Sequence, residues 1–182
     1  MYHKYNTEGL VIKSYERGES SRNIILFTKE FGLIYSSVQN ARGTKSKLKP
    51  GAQDFSFGNF TLLKGRHEWK MVGAQIEKNF FYSLESRPKY LVVAKIFSLI
   101  TELSGEEKNI ELYEIVLEFL DTLESYALDE VDILERTVVL KILRNHGVVA
   151  ESEGEIDSLV QDKSRSIQII NKALQASIHA VR

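Results

Sequence analysis

The apolar residues of this 182-residue chain change their spacing once, near residues 79–87, and that change limits the possible folds more than any other feature. Before it, short runs of β-branched and aromatic residues are punctuated by glycine: GLVIKSY, RNIILFT, GLIYSSVQ, FSFGNFTLL and EWKMVGAQIE. Runs of this length and composition read as strands. The separators Glu16-Arg17-Gly18-Glu19, Glu30-Phe31-Gly32 and Lys64-Gly65-Arg66 suit turns. Five open strands would leave exposed edges, and closure removes them, so a small antiparallel barrel is expected. An OB-like barrel is the natural candidate, with an SH3-like barrel or a small sandwich as alternatives.

After the change glycine becomes scarce and the apolar period lengthens to that of a helix. Pro88 stands where a first helical turn begins, followed by Leu91, Ala94, Ile96, Phe97, Ile100 and Leu103, and Gly105 ends the pattern. A second helix is expected from Asn109 as cap through Leu123, with Leu112, Ile115, Val116, Phe119 and Leu120 on its apolar face. A third covers about residues 129–146, with Lys141 and Arg144 near its end and Gly147 as stop. ESEGEID, residues 151–157, reads as an acidic loop, and a fourth helix from Asp162 carries Ile167, Ile170, Leu174 and Ile178. The expected class is therefore α+β: an OB-like domain over residues 1–80 and an α-helical domain of about four helices over 81–182. Phe80, Phe81 and Tyr82 at the boundary are expected to seal the contact between domains, because three adjacent exposed aromatics would be costly.

Charge divides at the same place. Residues 1–82 hold 13 Lys and Arg against 7 Asp and Glu, a net +6, and residues 83–182 hold 11 against 18, a net −7. A basic half favours phosphate ligands, and an acidic half repels them and is free for packing or protein contacts. The cations concentrate in QNARGTKSKLKPGAQ, residues 39–53, where Arg42, Lys45, Lys47 and Lys49 occur without an acid. Long flexible cations on a backbone able to follow a sugar–phosphate chain are what nucleic-acid binding requires. If the segment is extended, Lys45, Lys47 and Lys49 alternate onto one edge; the competing reading is a solvated loop. Candidate stacking residues in this half are Tyr15, Phe31, Tyr35, Phe55, Phe57, Phe60 and Trp69, with Phe55 and Phe57 expected on one strand face in the core and Trp69 open between core and surface.

Several chemistries are excluded. With zero cysteines there is no disulfide, thiolate zinc site, iron–sulfur cluster or cysteine nucleophile. His3, His67, His146 and His179 lack the spacing of a metal site or triad. Glu111, Glu114, Glu118 and Asp121 recur at helical spacing and form a solvated face rather than a two-metal site. Phosphate-binding glycine motifs are missing, so no nucleotide cofactor or hydrolysis is expected. No apolar run spans a bilayer and the start carries no secretory signal, so a cytoplasmic protein without membrane contact is expected.

Four collinear segments carry a family resemblance: Gly9-Leu10-Val11-Ile12-Lys13, Gly18-Glu19-Ser20, Leu26-Phe27-Thr28-Lys29-Glu30-Phe31-Gly32, and Ala41-Arg42 followed by Lys45-Ser46. In this order and spacing they resemble the N-terminal domain of the bacterial recombination mediator RecO. Beyond about residue 80 only the helical character and Leu140 to Gly147 agree. The resemblance implies an OB-fold with a helical domain, binding of single- and double-stranded DNA, and annealing of strands coated by single-strand-binding protein. It also implies cooperation with a RecR-like partner and work at the nucleoid, without nucleotide hydrolysis. Its basic positions fall on Arg22, Arg42 and Lys45, and further on Lys47 and Lys49. Two local departures are Ser21 in place of the usual aspartate and Gln39-Asn40 in place of the usual lysine and glycine. A larger one is the missing four-cysteine zinc module of many members. The function of the other class is a non-enzymatic adaptor whose helical half docks a protein.

Overall fold

The structure is a computed structural model describing residues 3–43, 45–66, 68–84 and 86–180, with the side chains of 177–180 excepted. His67 and the side chains of Ile178 and His179, named above, lie outside the described residues. The strands are β1 (Lys4–Arg17), β2 (Ser21–Thr28), β3 (Gly32–Val38), β4 (Ser56–Lys64) and β5 (Trp69–Asn79), with short 3-10 turns at Pro50–Ala52 and Phe80–Ser83. Helices α1 (Arg87–Leu103), α2 (Ile110–Ser125), α3 (Val131–Asn145), α4 (Glu153–Leu159) and α5 (Lys163–Ala180) follow.

The sheet closes in the order β1-β2-β3-β5-β4, the OB arrangement. A long first strand makes closure possible: its first part pairs with β4, Lys4 opposite Leu63 through Leu10 opposite Phe57, and its second part with β2, as far as Arg17 opposite Ser21. Gly9 and Leu10 pair with both neighbours, and a bulge between Val11 and Lys13 shifts the register with β2 and bends the strand. The other seam is a brief parallel pairing of β3 with β5, Ser36 opposite Trp69 and Ser37 opposite Lys70. Inside lie Val11, Ile24, Leu26, Ile34, Val38, Phe60, Leu62, Met71 and Trp69, with Ala41 and Ala52 closing the core. Trp69 is 4% exposed, which places it in the core. Tyr5 and Phe31 meet its ring at centroid distances of 5.5 and 5.1 Å.

By their internal contacts, Met1–Ser83 and Ser104–Tyr113 form one compact unit, and Leu84–Leu103 with Glu114–Arg182 form the other. The return of residues 104–113 to the barrel unit has a local cause. Leu33 N–H donates to the Gly105 carbonyl at 2.9 Å, Lys108 pairs with Glu30 at 2.7 Å, and the Phe27 and Tyr113 rings stand 5.4 Å apart. Gly32 sits at the β2–β3 turn with φ +66°, and a Cβ there would strike the backbone of Glu107, so this turn accepts the strap only as glycine. Burial, with Glu8 next to it, pushes the Tyr113 phenol well above its ordinary range.

The helical unit departs from expectation at three places. α1 buries Val92, Val93, Ile96, Phe97, Leu99 and Ile100, whereas Leu91 and Ala94 face solvent, so its apolar stripe lies one step round from the expected one. ESEGEID is not a loop: residues 153–159 form α4, started by a capping box in which Glu155 accepts from the Ser152 backbone at 2.7 Å and anchored by buried Ile156 and Leu159. Among the described residues the chain thus holds five α-helices where about four were expected. Of the three boundary aromatics Phe80 is buried, whereas Phe81 is 53% and Tyr82 78% exposed. The expected caps hold: Leu112 N–H donates to Asn109 Oδ1 at 2.9 Å, and α3 stops at Gly147, φ +70°, with Val148 N–H returning to Leu143 at 2.9 Å. A second cluster gathers Leu140, Leu143, Val149, Ile156, Leu159, Val160 and Ala173. No helix among the described residues is long and apolar enough to cross a membrane.

Candidate nucleic-acid interface

The basic segment is built on turns, which overturns the extended reading. Ser46 N–H donates to Gly43, Lys49 N–H to Ser46 and Ala52 N–H to Lys49, each reaching back three residues. Strand alternation therefore does not set the directions of Lys45, Lys47 and Lys49; anchoring of the loop does. Ala41 and Ala52 are buried at its ends, and Leu48 packs against the barrel core between them. The flanking Lys47 and Lys49, and Lys45 before them, stand in solvent. Among the described residues none of the three ammonium groups has a hydrogen-bond or carboxylate partner. Gly51 lets the loop lie flat on the barrel, since a Cβ there would collide with that of Ala74.

The two arginines are placed differently. Arg22, in the inward-facing register of β2, donates to the Ala52 carbonyl at 3.0 Å and to Ser14 Oγ at 3.2 Å, so its guanidinium holds the loop against the barrel end. Arg42 donates to the Gly18 carbonyl at 3.4 Å and meets Glu16 at 3.4 Å, with its own N–H on Ser20 at 3.0 Å. It ties the basic loop to the β1–β2 turn. The same turn is linked to the β4–β5 connection, because Arg17 pairs with Glu68 at 3.0 Å and donates to Asn23 at 3.3 Å. Sequence placed five cations together; among the described residues the structure leaves three of them unpartnered and makes two the fasteners.

Cross-strand register identifies surface residues that composition could not. With Ile24, Leu26 and Ile34 facing the core, the alternate positions face outward: Lys13, Ile25 and Tyr35 form one row, and Tyr15, Asn23, Ser37 and Lys70 the next. Tyr15 is 43% and Tyr35 61% exposed. The Lys13 ammonium lies 5.3 Å from the Tyr15 ring centroid. The signal in the sequence was the alternation Lys13, Tyr15, Arg17, which the bulge displaces from the apolar run before it. Phe55 is buried as expected, but it precedes β4 with φ +67° rather than sharing a strand face with Phe57.

On the strap, Glu106 pairs with Lys64, whose ammonium lies 4.9 Å from the Trp69 ring centroid. Burial acts to raise the Glu106 pKa, but the paired Lys64 ammonium and the nearby Trp69 indole outweigh it and hold the carboxyl below its ordinary value. Lys64 is thus neutralised within its own unit, unlike the loop lysines. Among the described residues no group of three or more His, Asp or Glu side chains is arranged to hold a metal ion.

Residues 1–80 match the family described as "Recombination protein O N terminal". Curated relatives include proteins named "DNA repair protein RecO" from Alkaliphilus metalliredigens, 31% identical over 78% of this chain and 58% of the relative, and from Clostridium novyi, 27% identical over 79% and 56%. A third, from Halalkalibacterium halodurans, is 26% identical over 93% of this chain and 64% of its own length. The chain thus spans less than two thirds of these relatives. Residues 1–80 are thus similar to the recombination protein O N-terminal family, and the chain resembles the RecO proteins over most of its length.

Proposed function

We propose that the protein is a DNA-binding factor of recombinational repair, and that Lys45, Lys47 and Lys49 contact the sugar–phosphate backbone of single- and double-stranded DNA. The observation carrying this reading is that three exposed lysines share one anchored loop and lack an internal counter-charge, whereas Arg17, Arg42 and Lys64 are paired with carboxylates. Free cations gain most from a polyanion, because they give up only solvent and counterions. The relatives' name and the barrel supply the repair context. Within it the chain pairs complementary strands without hydrolysing nucleotide, working in the bacterial cytoplasm at the nucleoid with single-strand-binding protein and a RecR-like partner.

A salt titration tests the reading. Reversing Lys45, Lys47 and Lys49 together to glutamate lowers affinity for single strands and duplexes of any sequence. It also flattens the log–log salt slope by about 2, some 0.7 for each single-strand phosphate that is no longer neutralised. A folded triple variant with unchanged affinity and slope would return the loop to a merely solvated role and favour the adaptor.

A further inference from the structure

We propose that the outer face of β1, β2 and β3 is a stacking platform for unpaired nucleobases, with Tyr15 and Tyr35 as its rings, so that the barrel distinguishes single strands from duplex. The proposal deepens the DNA-binding reading above by assigning the loop to the backbone and this face to the bases. Two exposed tyrosines flank β2 on this face: Tyr15 stands opposite Asn23, in a row continued by Ser37 and Lys70, and Tyr35 stands opposite Ile25, in a row continued by Lys13. The acids near this face, Glu16 and Glu68, are engaged by Arg42 and Arg17. Tyr15 and Tyr35 are 43% and 61% exposed, whereas Ile25, in the row of Tyr35, is only 3% exposed.

The geometry suits separate bases. Tyr15 and Tyr35 lie on opposite sides of β2, two strands apart and displaced by two residues, a separation of about 12 Å from ordinary strand spacing and rise. Rings that far apart cannot cover one base together, but each can take one along an extended strand. Stacking needs a free π-face, which every unpaired base offers and a base within a duplex has already given to its neighbours. Lys13 lies over one face of the Tyr15 ring, its ammonium 5.3 Å from the centroid, and sets a positive charge beside a base taken by the other face. Arg42 fastens the basic loop to the β1–β2 turn that ends this face, so backbone and base contacts lie on one continuous path.

The full chain is tested by fluorescence anisotropy against an oligo-dT strand, an abasic strand of equal length and charge, and a duplex. The expected result is that oligo-dT binds more tightly than the abasic strand by roughly 5- to 150-fold for each stacked base. The Tyr15→Ala, Tyr35→Ala double variant loses that preference while its duplex affinity stays unchanged. Tyr15→Phe with Tyr35→Phe keeps the preference, which separates loss of a ring face from loss of fold. Equal wild-type affinity for dT and abasic strands would overturn the proposal, as would a preference that survives the double alanine change or a proportionate fall in duplex binding. Reversal of the three loop lysines lowers all three affinities if the backbone reading holds. If it lowers none while the tyrosine changes abolish the dT preference, the loop assignment fails and the platform stands. Failure to bind any of the three oligonucleotides would overturn both.

Discussion

Arg22 donates to the Ala52 carbonyl at 3.0 Å, and this contact helps hold the basic loop where it returns to the barrel. A charged donor on the carbonyl of a buried residue contributes more than a neutral pair, and its removal strands the acceptor. Arg22→Met should lower the free energy of unfolding by about 1.5–3 kcal/mol, read from urea titration. DNA affinity measured on the folded fraction should fall less than for the loop-lysine reversal, because Arg22 is a positioning residue.

Gly51 is the second fixed point. An added Cβ meets the Ala74 Cβ, so Gly51→Ala forces the 3-10 turn off β5. Overpacking of this kind costs about 1–3 kcal/mol and should appear as a lower thermal midpoint. Gly154→Ala, where a Cβ meets open space, serves as the control and should not lower the midpoint.

In the helical unit Arg136 is 6% exposed and donates to the Val160 carbonyl at 2.5 Å and to Ser166 Oγ at 2.8 Å, with Asp132 at 3.3 Å. Arg136→Leu leaves both oxygens without this donor. A loss of about 1–3 kcal/mol is expected in denaturant unfolding, with DNA binding by the folded protein unchanged.

His146 ends α3, and burial holds its pKa below the ordinary value of 6.5. The unfolded chain therefore binds the proton first as pH falls, and stability is complete above about pH 6.5 and lost below it. Melting temperature should drop between pH 7 and 5.5, and His146→Gln should flatten that drop. An unaltered slope in the variant would assign it to other groups.

The alternating runs of the first 78 residues and the caps at Asn109 and Gly147 were legible because each is a local rule: period two, a side-chain acceptor, a left-handed stop. The turns of the basic loop were not, since their conformation depends on Leu48 and Ala52 reaching a core assembled from distant strands. α4 was hidden because a seven-residue helix rich in acids shows only Ile156 and Leu159 to a periodicity test. Tyr15 and Tyr35 were in view as aromatics, but only the bulge at Val11 and the pairing across β2 set which way they face. The strap of residues 104–113 follows a helix and gives no strand signal, so its place against Gly32 could be known only from the fold.

That strap has a bearing on how the molecule is made. Phe27 and the Leu33 amide find their partners at Tyr113 and Gly105, more than seventy positions downstream. During synthesis all five strands leave the ribosome before the piece that finishes their flank, and α1 must emerge in between. The nascent barrel therefore passes through an interval with an uncovered aromatic beside an unpaired turn, and the helix that follows acts as the tether delivering its missing part.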